Sequence, residues 1–237
     1  MDLSRPLEPG MPVFPGDPEF GSSPVGTVAR DGAAVAALHL STHTGTHVDA
    51  PAHVLPDGPT LDDLPLDLFT GPAVVLDVRP TGAGGTGSRG NVATGDGGTG
   101  DEGTGDEGTG IGPEVLPDRI PVGTVVLFRT GGDAPAGTPD GTPAGTPAGN
   151  HRFLLPATAR ALRELGVRTV GIDTASVDAP GSLDVHRELL GTRADPGVVV
   201  ENLANLDRIP ATGCVVHLFP LRLSGGDGSP VRAVAQH

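Results

Sequence analysis

Short apolar runs rich in β-branched residues, each bounded by Gly or Pro, recur along this chain and favour β-strands. A longer strand is predicted upstream over residues 33–49, AAVAALHLSTHTGTHVD. A sequence built this way folds around a sheet, because so many short strands bury their apolar side chains only by pairing. The short runs are AVVLDV (73–78), TVVLF (124–128), RTVGI (168–172), GVVVEN (197–202) and CVVHLF (214–219).

Helical patterns are few. Residues 155–166 read as an amphipathic helix that ends at Gly166, and residues 182–191 predict a second, shorter helix. The apolar face of the first helix consists of Leu155, Ala159, Leu162 and Leu165. The strand predicted from residue 168 follows this helix directly. Many strands with few helices indicate a β-rich α/β domain.

Two stretches have the composition of linkers. Residues 81–112 repeat Gly, Thr, Asp and Glu, and residues 131–149 repeat Gly, Thr and Pro. Neither offers enough apolar surface to offset the entropy of ordering it. We therefore expect one domain over residues 1–237, with loop insertions at about 81–112 and 131–149.

Charge and composition exclude several classes of function. The 15 basic residues, all arginine, face 29 acidic ones, and the net charge of −14 argues against a nucleic-acid or anionic-membrane partner. The absence of lysine excludes Schiff-base chemistry and a P-loop. No apolar run reaches the roughly 18 residues of a membrane span, so a soluble, cytoplasmic protein is expected. The single cysteine, Cys214, excludes an intramolecular disulfide and is expected to be a buried core thiol.

The segment STHTGTHVDAPAHV, residues 41–54, concentrates polar chemistry in an otherwise simple pattern. His43, His47, Asp49 and His53 are all odd-numbered, so a straight strand would project them from one side. Pro51 makes a straight path to His53 improbable, and His53 is expected to lie offset from the others.

The even-numbered residues before this segment are apolar. Ala36, Leu38 and Leu40 suit a core-facing side of the same predicted strand. Gly45 lies between His43 and His47 and adds no bulk, so an ion or a substrate could come close there.

Imidazole nitrogen and carboxylate oxygen are the ligands that zinc, manganese and iron accept. Four such groups on one face would be costly to bury unpaired, and a cation would remove that cost. A solvated histidine cluster is the alternative. Further ligands must come from elsewhere in the chain: His186 and Glu201 are the better candidates, while Asp173 and Asp178 are plausible supports.

The residues HTGTHVDAPAH (43–53) fit the pattern HxGTHxDxPxH, which resembles the metal-dependent hydrolases of the cyclase family, of the bacterial kynurenine formamidase (arylformamidase) type. Other segments agree in order, so the resemblance spans nearly the whole chain except the two low-complexity stretches. These segments are PVFPGDP (12–18), VVLFRTG (125–131), GIDTASVD (171–178), HRELLG (186–191), VENLANLD (200–207) and FPLRLSGGDGSPVRAVA (219–235).

The resemblance implies a swivelling β/β/α fold and a role for each residue of the motif. It implies that His43, His47 and Asp49 bind one divalent metal, zinc or manganese. It also implies that Asp49 bridges to a second ion held by His186, with Glu201 contacting both. His53 would be the general acid/base. The sequence itself leaves open whether one or two ions bind.

An activity follows from the same resemblance. It implies hydrolysis of an amide-type C–N bond by metal-activated hydroxide, with an aryl formamide such as N-formylkynurenine, an intermediate of tryptophan catabolism, as substrate. A small-molecule substrate and a homo-oligomer, dimer or tetramer, are the implied partners. The formamidases often carry Trp where this chain has Phe14, a substrate-binding position, and Phe lacks the indole donor.

Other functions remain open. The related alternative is a cyclase or a hydrolase of isatin-type lactams or esters that uses the same metal site. A Ser-His-Asp hydrolase is disfavoured because the chain has no G-x-S-x-G element. A metal-sequestering protein without catalysis would bind ions but show no hydrolysis that depends on His53.

Overall fold

The computed structural model describes residues 1–80, 110–132 and 151–237 of the chain. Within these residues, twelve strands and three α-helices are numbered in chain order. The strands are β1 (Gly21–Gly26), β2 (Val35–His39), β3 (His47–Asp49), β4 (Thr70–Asp77), β5 (Gly110–Ile111), β6 (Val125–Arg129), β7 (Phe153–Leu154), β8 (Thr169–Ile172), β9 (Val198–Glu201), β10 (Cys214–His217), β11 (Gly228–Pro230) and β12 (Val234–Gln236).

An eight-stranded mixed sheet forms the centre of the molecule. Its order is β11-β3-β9-β8-β6-β4-β10-β12. The four middle strands, β9, β8, β6 and β4, run parallel, and the two strands at each end are antiparallel to their neighbours. The five short apolar runs all fall in this sheet, as β4, β6, β8, β9 and β10, so those strand predictions are confirmed.

Both faces of the sheet are buried at β6, β8 and β9, where period-two alternation divides the strand residues between the two faces. On β6, Val125 and Leu127 join one apolar cluster, whereas Val126 and Phe128 join the other. The first cluster gathers residues from both ends of the sheet, including Ala235 of β12, so the sheet curls around it. Cys214 lies in this cluster, and the predicted core thiol is confirmed.

The helices are α1 (Val28–Asp31), α2 (Pro156–Glu164) and α3 (Asp184–Leu190). Helices α2 and α3 cover the second face of the sheet, which we call the helix face. Ala159 and Leu162 of α2 and Leu189 of α3 pack there and are almost fully buried. Both predicted helices are confirmed, and Pro156 begins α2 where its missing N–H removes no helical bond.

The long strand predicted over residues 33–49 is wrong. The chain instead forms β2, a turn, and then β3. Strand β2 pairs only with β1, in a separate two-stranded sheet, so Leu38 is 61% exposed and does not face a core. The turn bonds itself locally, because Thr44 N–H donates to Ser41 O and Ser41 N–H donates to Thr44 Oγ1.

The two low-complexity stretches lie almost wholly outside the described residues. Within them, Gly110 and Ile111 form β5, which pairs in parallel with β7. Among the described helices, none combines the length and apolar character needed to cross a bilayer.

Candidate metal centre

Two paired strands place three of the predicted ligands on one face of the sheet. His47 lies opposite Glu201 in the antiparallel pair of β3 and β9, and Asp49 lies opposite Val199. Val48 points into the first apolar cluster, so its neighbours His47 and Asp49 point to the helix face. All three polar side chains are buried. The alternation expected for His47 and Asp49 is confirmed.

Helix α3 supplies His186 from above this face. Its ring Nδ1 lies 2.6 Å from Asp178 Oδ2, which also accepts the backbone N–H of His186 at 3.0 Å. Asp178 Oδ1 accepts the N–H of Val185 at 2.8 Å. The carboxylate of Asp178 therefore accepts hydrogen bonds from both the first turn of α3 and the imidazole ring of His186, as expected for a supporting residue.

His43 enters from the turn between β2 and β3 rather than from a strand. Gly45 follows it with φ of +67°, and a Cβ there would lie 2.5 Å from Leu7 Cδ2. The positive φ favours glycine, and any larger residue would also have to displace the side chain of Leu7. His43 Nδ1 lies 2.7 Å from Asp49 Oδ1, which brings it to the same centre.

Among the described residues, three groups of side chains could each hold an ion. His43, His53 and Asp227 form one of them, and two adjacent groups share Asp49. One group is His43, His47 and Asp49, and the other is Asp49, His186 and Glu201; within each, the potential ligand atoms lie within 4.8 Å of one another. The carboxylates of Asp49 and Glu201 each turn one oxygen toward His47 and the other toward His186. His47 Nε2 lies 3.4 Å from Asp49 Oδ1 and 3.6 Å from Glu201 Oε2. His186 Nε2 lies 3.4 Å from Asp49 Oδ2 and 3.2 Å from Glu201 Oε1.

These residues fit a divalent cation. Ligand atoms around tetrahedral zinc lie about 3.3 Å apart, given bonds of about 2.0–2.1 Å, and the four distances above are close to that value. Asp49 Oδ2 is buried and accepts no hydrogen bond within the described residues. His47 Nδ1 lies 2.9 Å from Gly45 O, so its proton is held there and Nε2 presents a lone pair to the centre.

Without a metal ion, the surroundings of the site favour the charged forms of His43 and His186 and the ionised form of Asp49. Burial disfavours the charge on His43, but the hydrogen bond and charge of Asp49, with those of Asp227, outweigh it and raise its pKa to about 9. Burial likewise opposes the charge of His186, whose pKa is nevertheless well above its usual value because of Glu201, Asp178 and Asp49. Protons therefore occupy positions that a cation could take.

His53 stands beside the two groups that share Asp49. It ends a short 3₁₀ helix, Pro51–His53, that begins at Pro51 directly after β3, so the expected offset from the strand is confirmed. Its ring centroid is 4.1 Å from that of His43 and 5.6 Å from that of His186. Burial is the main cause that lowers the pKa of His53 below its ordinary value. A neutral imidazole next to the centre can accept a proton.

A cavity of about 480 Å³ opens onto this centre. Its polar end carries His43, His47, His53, His186 and Glu201, and its walls include Pro12, Val13, Phe14, Ala179, Pro180 and Leu183. Phe14 is 56% exposed at the mouth, where a bound molecule could cover it. The cavity therefore joins an apolar wall to a buried polar centre, as small-molecule sites do.

Two aspartates differ from what the sequence indicated. Asp173 does not support the centre: it accepts hydrogen bonds from the N–H and Oγ1 of Thr130 and from the N–H of Gly131. Asp227, to which sequence reasoning gave no role, lies beside His43 and His53. It falls within a segment that shares the family resemblance, but no spacing connects it to the histidines.

Comparison with known proteins agrees with this geometry. A family model described as "Putative cyclase" matches residues 1–179, which include the 43–53 motif but neither His186 nor Glu201. Several relatives match nearly the whole chain. The kynurenine formamidase of Salinibacter ruber (strain DSM 13855 / M31) is 34% identical over 99% of this chain and 95% of its own length. The kynurenine formamidase of Paracidovorax citrulli (strain AAC00-1) is 36% identical over 98% of this chain and 94% of its own length.

Among solved structures, isatin hydrolase A from Labrenzia aggregata, bound to benzyl benzoate, superposes with a TM-score of 0.73. It is 26% identical, and the match covers 99% of this chain and 92% of that one. This similarity confirms the predicted fold class, the swivelling β/β/α type of the cyclases. By the family model and by its full-length relatives, the chain belongs to the putative cyclase family.

Proposed function

We propose that this protein is a metal-dependent hydrolase that cleaves an amide C–N bond, with an aryl formamide such as N-formylkynurenine as substrate. The observation that carries the proposal is the paired set of His and carboxylate ligands at the end of a substrate-sized cavity. The names of the two full-length relatives support the same activity.

We assign the metal ligands as His43, His47, Asp49, His186 and Glu201. Asp49 and Glu201 each turn one oxygen toward His47 and the other toward His186, which supports two ions that share both carboxylates. Two carboxylates beside three neutral imidazoles leave the site short of the charge of two divalent ions, which favours binding an anion or a hydroxide as well. Zinc and manganese both accept this ligand set.

A divalent cation held there would lower the pKa of a bound water and stabilise the oxyanion that develops on the amide carbonyl. The residues of the chain supply the rest. Asp178 and the Gly45 carbonyl hold the rings of His186 and His47 so that their Nε2 atoms face the centre. The cavity wall with Phe14 places the aromatic part of a substrate and leaves its amide at the polar end.

His53 is the proposed general acid/base. It lines the cavity beside the centre and is not needed in either group of ligands formed with Asp49. Its lowered pKa keeps the ring neutral near pH 7, so that it can take a proton from the attacking water and return it to the leaving nitrogen. Cleavage then yields formate and the free aryl amine.

The second candidate is hydrolysis of a cyclic amide of the isatin type. It is favoured by the similarity to an isatin hydrolase structure and by Phe14, which stands where formamidases often have Trp. We further propose that the protein is a homodimer or larger homo-oligomer, as the family resemblance implies, which light scattering of the purified protein tests.

The deciding experiment combines metal analysis with assays on N-formylkynurenine, a simple aryl formamide and isatin. We expect one to two equivalents of zinc or manganese and hydrolysis of the formamides. The His53→Ala variant should retain its metal and lose about 10²–10⁴-fold in kcat. The Asp49→Ala variant should lose both metal and activity, since Asp49 faces both groups.

Several results would change these assignments. Loss of metal from the His53→Ala variant would make His53 a ligand rather than the acid/base. Isatin hydrolysis without formamide turnover would establish the second candidate. Stoichiometric metal with no hydrolysis of any of the three compounds would contradict an amide hydrolase.

A further inference from the structure

The ring of His43 lies between two carboxylates. Its Nδ1 faces Asp49 Oδ1 at 2.7 Å, on the side of the centre. Its Nε2 lies 3.0 Å from Oδ2 of Asp227, on the outer side. His43 therefore has the same arrangement as His186, whose outer nitrogen bonds Asp178. In both cases a carboxylate can accept the outer N–H, so that loss of the inner proton would free the inner nitrogen for a cation.

The carboxylate of Asp227 has a second neighbour. Its Oδ2 lies 3.7 Å from Nδ1 of His53, and the rings of His43 and His53 are only 4.1 Å apart. One oxygen atom thus faces a proposed ligand and the proposed general acid/base together. The distance to His53 exceeds a hydrogen bond, but such catalytic contacts commonly shorten when substrate binds.

The backbone places Asp227 there firmly. Its carbonyl accepts the N–H of Ala50 at 2.9 Å, and the next residue, Gly228, is paired with Asp49 across β11 and β3. On the other side, Gly226 O accepts the N–H of Leu61 at 2.9 Å. The same strand pairing that fixes Asp49 therefore fixes the position of Asp227. Its side chain is 42% exposed, so ionisation costs less desolvation there than at Asp49, which is 1% exposed.

We propose that Asp227 is a positioning residue for the hydrolytic reaction: its carboxylate orients His43 toward the metal and His53 toward the substrate. The proposal rests on the proposed function. An imidazole N–H held by a carboxylate fixes the tautomer and the ring orientation, so the opposite nitrogen is ready to bind a cation or to transfer a proton. Asp227 does not line the cavity, and its carboxylate faces the rings of His43 and His53.

The test compares Asp227→Asn, Asp227→Ala and Asp227→Glu with a matched control, Asp67→Asn, whose side chain is exposed and remote from the cavity. The first readout is zinc affinity, measured by competition with a chelator and independent of activity. We expect Asp227→Asn and Asp227→Ala to weaken zinc binding about 10-fold or more, the lower end of the range for lost support of a metal ligand.

The second readout is hydrolysis at saturating zinc of whichever compound the wild-type protein cleaves in the assays on formamides and isatin. In Asp227→Asn and Asp227→Ala we expect kcat to fall at least about 10-fold, because a misplaced His53 loses part of its contribution as general acid/base. The KM of both variants should be nearly unchanged. Asp227→Glu should restore part of kcat because it keeps the carboxylate. A purely structural role would instead lower the melting temperature and affect kcat and KM without this rescue.

If Asp227→Asn and Asp227→Ala bind zinc as tightly as Asp67→Asn does, Asp227 does not position His43. If their kcat is unchanged, Asp227 does not position His53. A wild-type protein that binds zinc but hydrolyses nothing would contradict the proposed function instead. The zinc measurement would then still decide whether Asp227 positions His43.

Discussion

Each candidate histidine ligand has two ring nitrogens, and a hydrogen bond on one of them decides what the other can do. His47 is held by a backbone carbonyl and His186 by a buried carboxylate. The two acceptors differ in strength, because an ionised acceptor roughly doubles a hydrogen bond and also raises the basicity of the ring. His186 therefore depends more strongly on its support than His47 does.

Replacing Asp178 tests this dependence. Both carboxylate oxygens of Asp178 accept a backbone N–H, one from Val185 and one from His186. In Asp178→Asn one of these oxygens becomes an NH₂ group, which cannot accept, so one of the two residues loses its hydrogen bond. We expect zinc affinity to fall about 10–100-fold, the range for loss of such a support. The measurement is chelator competition on the purified variant.

Asp184→Asn is the matched control, because Asp184 lies on the same helix and is exposed. It should bind zinc as the unmodified protein does. Equal zinc affinity in both variants would show that the ring of His186 needs no carboxylate behind it.

At the scale of elements, the centre depends on how strands pair. Period-two alternation in the sequence places His47 and Asp49 on one face, and the structure agrees because β3 lies inside the sheet, between β11 and β9. The alternation failed upstream, where a turn interrupts the predicted strand. A local turn that satisfies its own N–H groups competes with strand pairing, and alternation of side chains does not reveal it.

The pairing of β11 with β3 brings Gly228 against His43. A Cβ at Gly228 would lie 2.7 Å from His43 Cε1 and 3.0 Å from Val48 O. Gly228→Ala should therefore push the ring of His43 out of place and lower zinc affinity about 10-fold or more. Isothermal titration with zinc measures the change.

Gly21→Ala serves as the control, because a Cβ there meets only His39 Cβ, at 3.8 Å. That variant should keep the zinc affinity of the unmodified protein. Normal zinc binding by Gly228→Ala would mean that the ring of His43 can shift without consequence.

At the scale of the whole molecule, protons and metal compete for one centre, and folding is coupled to both. The pKa of His43, raised to about 9 from an ordinary 6.5, means that its proton stabilises the metal-free protein fully below pH 6.5. That contribution disappears as pH rises through about 9. The raised pKa of His186 acts in the same direction.

Metal-free protein should therefore lose thermal stability between pH 6.5 and 9, while its zinc affinity rises over the same range because each proton leaves more readily. Melting temperatures of chelator-treated protein and zinc titrations at pH 6, 7.5 and 9 measure both effects. The His43→Gln variant should show a weaker dependence. Identical pH profiles for the variant and the unmodified protein would contradict the raised pKa.

The domain prediction is also a property of the whole chain. The eight strands of the sheet and the side chains of the centre all come from the described residues, which do not include residues 81–109. Shortening that stretch roughly threefold with Gly and Ser should change the closure free energy by only about 1 kcal/mol. We expect the melting temperature to shift by a few degrees at most and zinc affinity to stay the same. Loss of folding would show that the stretch is part of the domain core.

The sequence by itself determined five strands of the main sheet, the two longer helices and the motif around His43, His47, Asp49 and His53. The five strands are β4, β6, β8, β9 and β10. Those features depend on local periodicity, on Gly and Pro as breaks, and on residue chemistry, all of which a linear pattern carries. Only the tertiary structure decided that β2 lies outside the main sheet and that Asp173 accepts a hydrogen bond from Thr130. It also decided that Asp227 lies beside His43 and His53. These outcomes depend on which strands pair across long separations in the chain, and such pairing is fixed by burial of the whole sheet rather than by any local pattern.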